Sequence, residues 1–336
     1  MTRVLFAVLV ALIISVLAGP RFIAFLRKNE FGQHIREEGP EHHFSKQGTP
    51  TMGGLLILLS ATVAFLAVSH FRLQALTVLF VTLACGAVGF LDDFIKLTHR
   101  RSLGLSGRWK LALLALITLV VALVAHHLNL STRIYVPVFD FWIPLSYAWY
   151  PFLFLVIAGA ANGANLADGI DGLASGTAII ALFTFTAMTT VSYIRSGPPS
   201  HRNLTTLDLS IIGAALIGGT IGFLWYNAFP AEVFMGDTGS MALGGALAAF
   251  AIMTKTEFLL LLIGGIFVIE AVSVMIQVFY FKYFGRRVFL IAPIHHHFEM
   301  KAWSETKIMV RFWIIAGILC AAAFALYYRY YFRFRT

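Results

Sequence analysis

The chain has 336 residues, of which 59% are hydrophobic and 12% are charged, and its mean hydropathy is +0.82. This composition excludes an ordinary soluble protein and indicates one integral membrane domain over 1–336, with the lipid bilayer as its solvent. The formal net charge of +9 follows the membrane topology, so it predicts no nucleic-acid partner. Cys85 and Cys320 both lie in apolar runs, which indicates packing rather than a disulfide or zinc site.

Ten apolar runs are long enough to cross a bilayer core of about 30 Å, which takes about 20 helical residues. They cover roughly 4–26, 52–70, 74–91, 111–128, 146–161, 173–194, 209–226, 240–255, 257–283 and 307–328. We therefore predict an all-α polytopic membrane protein with about ten transmembrane helices. The first run continues past Gly19-Pro20, which favours an uncleaved span over a signal peptide.

Lys and Arg predict the orientation of these runs. The loops after predicted spans 1, 3 and 9 hold fourteen of these residues, and the loops on the other side hold five. By the positive-inside rule, the first set is cytoplasmic and both termini are periplasmic. The alternating segment from Leu130 to Pro144 then predicts a small periplasmic hairpin. The informative cytoplasmic loops are roughly 27–51, 92–110, 162–172, 227–239 and 284–306.

The segment from Lys46 to Gly54, which precedes the second span, reads Lys-Gln-Gly-Thr-Pro-Thr-Met-Gly-Gly. It resembles a phosphate-cradling turn, although Gly-Thr-Pro turns are common. Taken alone, the segment is a weak indication of a phosphate site.

Five of the seven aspartates lie in three short motifs at the ends of apolar runs, and the first motif is Asp92-Asp93. Adjacent carboxylates repel each other unless a cation or a basic group neutralises them. Lys96 follows one helical turn later, so a helix-end ion pair is the structural alternative. That alternative explains one aspartate well and two poorly, which favours a functional role.

The second motif places Asp168 and Asp171 three residues apart in a glycine-rich turn before the sixth span. Glycines let a ligand approach the backbone, and a helix start offers free N–H groups to an anion. The structural alternative is that both aspartates cap the helix. Two caps, together with Asn162 and Asn165, exceed what one helix start requires.

The third motif, Asp237-Thr238-Gly239-Ser240, opens the eighth span, where Asp237 or Thr238 could equally be an N-cap. The preceding residues include Asn227, Phe234 and Gly236. An aromatic, glycine-bearing surface of this kind could stack a flat base beside a metal ligand. We therefore interpret Asp237 as a candidate metal ligand.

His295, His296 and His297 follow a proline in the last long loop. Neighbouring side chains on an extended chain point apart, which argues against a zinc site formed by these three histidines. Imidazoles instead suit phosphate binding or proton transfer. Glu270 lies within the ninth run, where a charge must be neutralised, paired or in a wet cleft, and Gln277 lies two turns further on.

Together, these motifs resemble the polyprenyl-phosphate N-acetylhexosamine-1-phosphate transferases. The resemblance runs from about Lys46 to Lys301, and every motif stands in the family's order. The aspartate motifs mark the whole superfamily, whereas Lys46–Gly54 and the three histidines are closer to its phospho-N-acetylmuramoyl-pentapeptide branch. Arg108 stands where many relatives would carry Lys.

The resemblance implies a homodimer in the bacterial inner membrane, with a Mg²⁺ site on the cytoplasmic face. The implied reaction joins UDP-MurNAc-pentapeptide to undecaprenyl phosphate and gives lipid I and UMP. The implied catalytic residues are Asp92, Asp93, Asp237 as the metal ligand, and His295. The implied substrate-binding residues are Lys46, Asn165, Asp168, Asp171, Asn227, Phe234, Gly236, Gln277, His296 and His297.

Two other functions remain open on the sequence. A sister enzyme would transfer GlcNAc-1-phosphate from UDP-GlcNAc, and the histidine loop favours the larger muramoyl substrate. An ion-coupled transporter would carry its carboxylates near the bilayer midplane, whereas these motifs lie at the cytoplasmic edge. Two mechanisms remain open on the sequence, direct attack by the lipid phosphate and reaction through a covalent phospho-aspartate intermediate. The length of the prenyl chain also remains open.

Overall fold

A computed structural model describes residues 1–29, 48–99 and 104–331 of the chain. Within these residues, ten helices have between 15 and 27 residues, and each overlaps one of the ten predicted runs. The helices are α1 Thr2–Lys28, α2 Gly54–Val68, α3 Leu73–Thr98, α4 Gly107–His127, α5 Trp149–Leu166, α6 Leu173–Arg195, α7 Leu204–Asn227, α8 Gly236–Thr254, α9 Leu260–Ile263, α10 Gly265–Phe284, α11 Ile294–Glu299 and α12 Glu305–Leu326, with α9 and α11 as the two short ones.

By length and composition, seven of these helices can cross a membrane: α1, α3, α4, α6, α7, α10 and α12. This result supports an all-α polytopic membrane protein. Helix α2 is apolar but has only 15 residues. The exact number of spans and the periplasmic location of both termini stay predictions.

Helix α7 forms the centre of the bundle. In its most apolar 18-residue window 89% of the residues are buried, against 28% in α1, α4, α10 and α12. It packs against α1, α2 and α6, while α8 packs against α3 and α5. The outer helices expose apolar side chains such as Leu5, Leu123, Phe279 and Ile318, as expected where lipid tails replace water.

Two predicted boundaries differ most from the structure. The ninth run does not form one helix over 257–283, because the helical conformation is interrupted at Gly264 between α9 and α10. Glycine has poor helix propensity, and its neighbour Gly265 packs closely against Leu319 of α12. The third helix continues to Thr98, so Asp92 and Asp93 lie in its last turns rather than in a loop.

The segment after α4 contains a two-stranded antiparallel hairpin, with β1 Arg133–Val136 paired to β2 Phe141–Pro144. The rings of Tyr135 and Trp142 lie 4.8 Å apart, and the Tyr135 hydroxyl donates a hydrogen bond to Asp140 at 2.6 Å. The periplasmic location of this hairpin stays a prediction.

Candidate active site and metal centre

The aspartate motifs converge at one end of the bundle, where α3 ends and α4 and α8 begin. Helices α3 and α8 touch there because Gly89 has no side chain. A Cβ atom at Gly89 would lie 2.1 Å from the backbone oxygen of Asp237. This close approach brings the end of one helix against the start of the other.

Asp92, Asp93 and Asp237 form a carboxylate cluster at this junction. One oxygen from each residue lies within 4.8 Å of the others. Asp92 and Asp93 are buried, and the Asp237 side chain is 14% exposed. Three carboxylates at such a distance repel one another strongly, so the cluster requires positive charge nearby.

Two lysines supply that charge. Lys96 Nζ lies 2.6 Å from Asp92 and 3.1 Å from Asp237, and Lys110 Nζ lies 3.1 Å from Asp92 and 2.8 Å from Asp237. Sequence reasoning assigned Lys96 only to a helix-end pair and gave Lys110 no site role. Lys110 lies on another helix, so no local spacing rule could have connected it to the aspartates.

Asp93 has a structural role within the cluster. Its carboxylate accepts hydrogen bonds from the backbone N–H of Asp237 at 3.2 Å, from the N–H of Thr238 at 2.9 Å, and from the Thr238 hydroxyl at 2.7 Å. Asp93 therefore satisfies the free N–H groups at the start of α8. Asp237 lies in the first turn of that helix but does not cap it, which leaves its oxygens for other partners.

The donor set of the cluster fits Mg²⁺, which takes carboxylate oxygens and substrate phosphates. Asp92 Oδ1 accepts a hydrogen bond from the Leu105 backbone at 2.7 Å. Among the described residues, Asp92 Oδ2 accepts no hydrogen bond of normal geometry, although Lys96 Nζ is near. Asp92 and Asp237 thus carry oxygens that a divalent cation could use if the lysines moved aside.

The Asp168–Asp171 turn lies beside the cluster. Asp171 accepts a hydrogen bond from the Ala231 N–H at 3.0 Å. Burial raises the pKa of the Asp168 carboxyl well above its ordinary value, and the negative charges of Asp237, Asp93 and Asp171 raise it further. The Asn165 amide donates to the Ser240 hydroxyl at 3.0 Å, which connects α5 to α8.

Asn227 was predicted to line the nucleoside pocket, but its amide is bonded within the protein. Its oxygen accepts hydrogen bonds from the Gly172 N–H at 3.2 Å and from the Ser175 hydroxyl at 2.9 Å. Its nitrogen donates to the Val233 carbonyl at 3.1 Å, and the residue is 3% exposed. This arrangement indicates that Asn227 holds the start of α6 and the segment around Val233 together.

The Gly48–Gly54 turn is held against the segment before α8. Phe234 donates its N–H to the Pro50 carbonyl at 2.8 Å, and Gly53 donates to the Phe234 carbonyl at 2.9 Å. Gly54 donates to Met235 at 2.9 Å, so these glycine N–H groups are not free to cradle a phosphate. The half-buried Phe234 ring lies three residues before Asp237. Lys46 falls outside the described residues.

Gly236 connects Phe234 to the start of α8 and requires its glycine. Its φ is +73°, a region that other residues rarely adopt. A Cβ atom there would also lie 2.6 Å from Asp93 Oδ2. A side chain at this position would displace the residue that caps α8.

The three histidines lie on the short helix α11 rather than on an extended chain, which corrects the geometry assumed from the sequence. His295 is fully buried, and its Nδ1 lies 3.1 Å from Glu270 of α10. His296 Nδ1 contacts Glu299, one turn further along the helix.

Gln277 and His297 hold the loop between α10 and α11. The Gln277 amide oxygen accepts hydrogen bonds from Val288 at 3.1 Å and Phe289 at 2.9 Å, and His297 Nδ1 accepts one from Leu290 at 3.1 Å. Burial lowers the pKa of His297, and Lys301 lowers it further, which suits an unprotonated acceptor nitrogen. Both residues were predicted to bind substrate, and both are engaged in positioning this loop.

The sequence matches known proteins over nearly its whole length. The family model of glycosyl transferase family 4 matches residues 75–255, and signature 1 of phospho-N-acetylmuramoyl-pentapeptide-transferase matches residues 46–58. The phospho-N-acetylmuramoyl-pentapeptide-transferase of Bacillus subtilis is 45% identical over 322 residues, which is 95% of each chain. The proteins of that name from Dinoroseobacter shibae and Rubrobacter xylanophilus are 49% identical over 94% and 44% identical over 98% of this chain, and the matches cover 90% and 98% of those relatives.

The helical bundle and its buried carboxylate–lysine cluster, together with these matches, define a membrane transferase of glycosyl transferase family 4. Within that class, the chain belongs to the phospho-N-acetylmuramoyl-pentapeptide-transferase family. The resemblance inferred from the motifs is therefore confirmed.

Proposed function

We propose that this protein transfers phospho-MurNAc-pentapeptide from UDP-MurNAc-pentapeptide to undecaprenyl phosphate and releases UMP. The proposal rests on one observation above all. Asp92, Asp93 and Asp237 meet Lys96 and Lys110 at the junction of three helices, in a chain of this family. Such a cluster can bind both a divalent cation and phosphate groups, which phosphoryl transfer requires.

Asp237 is the proposed ligand for Mg²⁺, and Asp92 lies close enough to share the ion. When bound, Mg²⁺ would neutralise diphosphate oxygens and the charge that develops on departing UMP. Lys96 and Lys110 now bridge Asp92 and Asp237. With substrate present, the two lysines would exchange carboxylate partners for phosphate oxygens, as Lys does in many phosphate sites.

Asp92 is the proposed residue that orients the attacking phosphate of the lipid carrier. The hydrogen bond from the Leu105 N–H fixes one carboxylate oxygen of Asp92, and the burial of Asp92 restricts its side-chain geometry. Little basicity is needed, because a phosphate monoester has a second pKa of about 6 and is mostly ionised at neutral pH. In this proposal, Asp93 supports the reaction by holding the start of α8.

The nucleotide half of the substrate is proposed to bind between the Asp168–Asp171 turn and Phe234. The half-buried Phe234 ring could stack on uracil, since its backbone is held in place by Pro50 and Gly53. Lys46, Asn165, Asp168, Asp171 and Gly236 would surround the nucleoside and its phosphates, and His295 and His296 would approach the diphosphate or the sugar. Asn227, Gln277 and His297 would act by holding the loops.

We place the active site on the cytoplasmic face of the bacterial inner membrane, in a homodimer. The cytoplasmic location is supported by the excess of Lys and Arg on the motif-bearing side, and the bacterial membrane by the bacterial origin of the matching relatives. The homodimer is what the family resemblance implies. The hairpin and both termini would then be periplasmic.

The direct test measures UMP release by the purified protein with undecaprenyl phosphate, Mg²⁺ and one of two donors. UDP-MurNAc-pentapeptide should be used efficiently and UDP-GlcNAc poorly, since the α10–α11 segment can wall a cleft for the peptide arm. Efficient transfer from UDP-GlcNAc would assign the protein to the sister branch. Absence of UMP release with both donors, in a folded protein, would reject transferase activity and favour a transporter.

A further inference from the structure

Glu270 is a buried carboxylate for which the proposed reaction has no use. It lies in the first half of α10 and is 0% exposed, among apolar neighbours such as Ile266 and Phe267. An unpaired charge in a membrane helix costs several kcal/mol, so such residues face a partner inside the bundle. Glu270 therefore requires a specific partner.

His295 is that partner. Its Nδ1 lies 3.1 Å from Glu270 Oε1, and both side chains are 0% exposed. In the described parts of the chain, neither Glu270 oxygen and neither ring nitrogen of His295 has a hydrogen bond of normal geometry, so the 3.1 Å approach of Nδ1 to Oε1 is the polar contact that the two side chains share. The pair connects α10 to α11, two helices separated in the chain by the loop that Gln277 holds.

The other ring nitrogen of His295 points to the acidic turn. A Cβ atom at Gly169 would lie 2.4 Å from His295 Nε2 and 3.4 Å from His296 Nε2. Gly169 stands between Asp168 and Asp171, so Nε2 reaches the turn proposed to meet the substrate. Nε2 has no hydrogen-bond partner within the described residues, although it is buried.

We propose that Glu270 is a positioning residue that holds the His295 Nδ1–H and so fixes which ring nitrogen faces the reacting diphosphate. The hydrogen bond made by one imidazole nitrogen sets the tautomer and the orientation of the ring. A carboxylate behind a histidine is a common way of fixing that ring, as in metal sites. Glu270 thus acts only through His295. This inference rests on the proposed function for its kinetic consequences, but not for the pairing itself.

The kinetic test compares Glu270→Leu, Glu270→Gln, His295→Ala and the double variant Glu270→Leu/His295→Ala with wild type. Glu270→Leu is expected to lower kcat by about 10–100-fold with little change in KM for the UDP-sugar, as for other residues that orient a histidine. Glu270→Gln keeps an oxygen that can accept from Nδ1–H, so it should recover part of the rate. Ser273→Ala is the control for loss of a buried polar side chain on α10: the Ser273 hydroxyl donates to the backbone carbonyl of Glu270 at 2.7 Å and not to its carboxylate, so this variant should retain full activity.

The double variant decides whether Glu270 acts through His295. The double variant should be no slower than His295→Ala alone. If the two losses multiply, Glu270 has an independent role and the inference is overturned. Melting in detergent identifies a Leu variant that fails to fold, in which case Glu270→Gln with and without His295→Ala gives the same comparison.

A spectroscopic arm separates this inference from the proposed function. In protein labelled with ¹⁵N-histidine, the His295 signals, assigned by their loss in His295→Ala, should show a protonated Nδ1 in wild type and in Glu270→Gln. In Glu270→Leu that protonation pattern should change. An unchanged pattern would overturn the inference even if the enzyme is active. A wild type that releases no UMP would reject the proposed function and leave this measurement valid.

Discussion

Lys110 Nζ lies 2.8 Å from Asp237 Oδ2, although the two residues are 127 positions apart in the chain. The same nitrogen lies 3.1 Å from Asp92. This contact ties the start of α4 to the start of α8 and joins the proposed metal ligand to the proposed orienting residue. The charge balance of the site therefore depends on a residue that none of the aspartate motifs contains.

Lys110→Met should destabilise the protein by about 3 kcal/mol in EDTA, since removing one partner of a buried ion pair leaves uncompensated charge. Adding Mg²⁺ should restore part of the loss, because the cation would replace the missing positive charge. Melting curves in detergent, with and without Mg²⁺, measure both effects. Arg108→Met is the control, since Arg108 is exposed on the same helix. Equal stability of Lys110→Met and wild type in EDTA would contradict the charge balance described here.

Asp237→Asn should reduce Mg²⁺-dependent UMP release by more than about 100-fold, because even the loss of a residue behind a ligand costs 10–100-fold. The protein should stay folded, as Asp93 rather than Asp237 caps α8. Asp140→Asn, in the hairpin, is a matched control. Normal turnover of Asp237→Asn at ordinary Mg²⁺ would exclude it as the metal ligand.

Asp92→Asn should lower kcat far more than the affinity for the UDP-sugar. A residue that orients the attacking phosphate contributes to the transition state and little to nucleotide binding. Steady-state kinetics with both substrates, together with direct binding of UMP, measure the two effects separately. Loss of UDP-sugar binding with an unchanged maximal rate would give Asp92 a substrate-holding role instead.

Phe234→Ala should weaken UMP binding by about 1–3 kcal/mol, the range for stacking of a base on an aromatic ring. The fold should be little affected, because Phe234 is held through its backbone contacts with Pro50 and Gly53. Phe139→Ala, which removes an exposed ring in the hairpin, is the control. If UMP inhibits Phe234→Ala and wild type equally, the ring does not bind the base.

The stability difference between Asp168→Asn and wild type should depend on pH. Its pKa is raised first by burial and then by the charges of Asp237, Asp93 and Asp171, so its ionisation opposes folding. The free-energy cost that ionised Asp168 adds to folding is fully present above its raised pKa in the folded protein. This cost decreases as the pH falls and disappears below the ordinary pKa of an aspartate. In EDTA, Asp168→Asn should therefore melt above wild type at neutral pH, with the difference closing in acid. A difference that does not change with pH would contradict this assignment.

Much of the fold could be predicted from the sequence because membrane helices are determined locally. Apolar runs of about 20 residues must become helices to satisfy their backbone in lipid. In the described part of the chain each of the ten runs overlaps a helix of 15–27 residues, and seven of these helices are long and apolar enough to cross a membrane. The end of α9 at Gly264 was not predicted, although the pair Gly264-Gly265 is a local turn signal, because the apolar residues on both sides continue as one run.

The site was predictable only as a set of motifs. Asp92, Asp168, Asp237 and His295 stand out because polar groups at membrane edges are costly. The pairings were not predictable: Lys110 with Asp237, Asp93 with the N–H groups of α8, and Glu270 with His295. Such partners depend on which helices are neighbours.

The sequence by itself determined the helical segments, the aspartate and histidine motifs and the family, because these depend on local composition and residue order. The tertiary structure decided which carboxylates meet and which cations neutralise them. It also distinguished Asp237, whose carboxylate pairs with Lys96 and Lys110, from Asn227, whose amide is bonded to the neighbouring loops. The physical reason is that charge pairing and hydrogen-bond satisfaction act over a few ångströms in space, between residues that are distant in the chain.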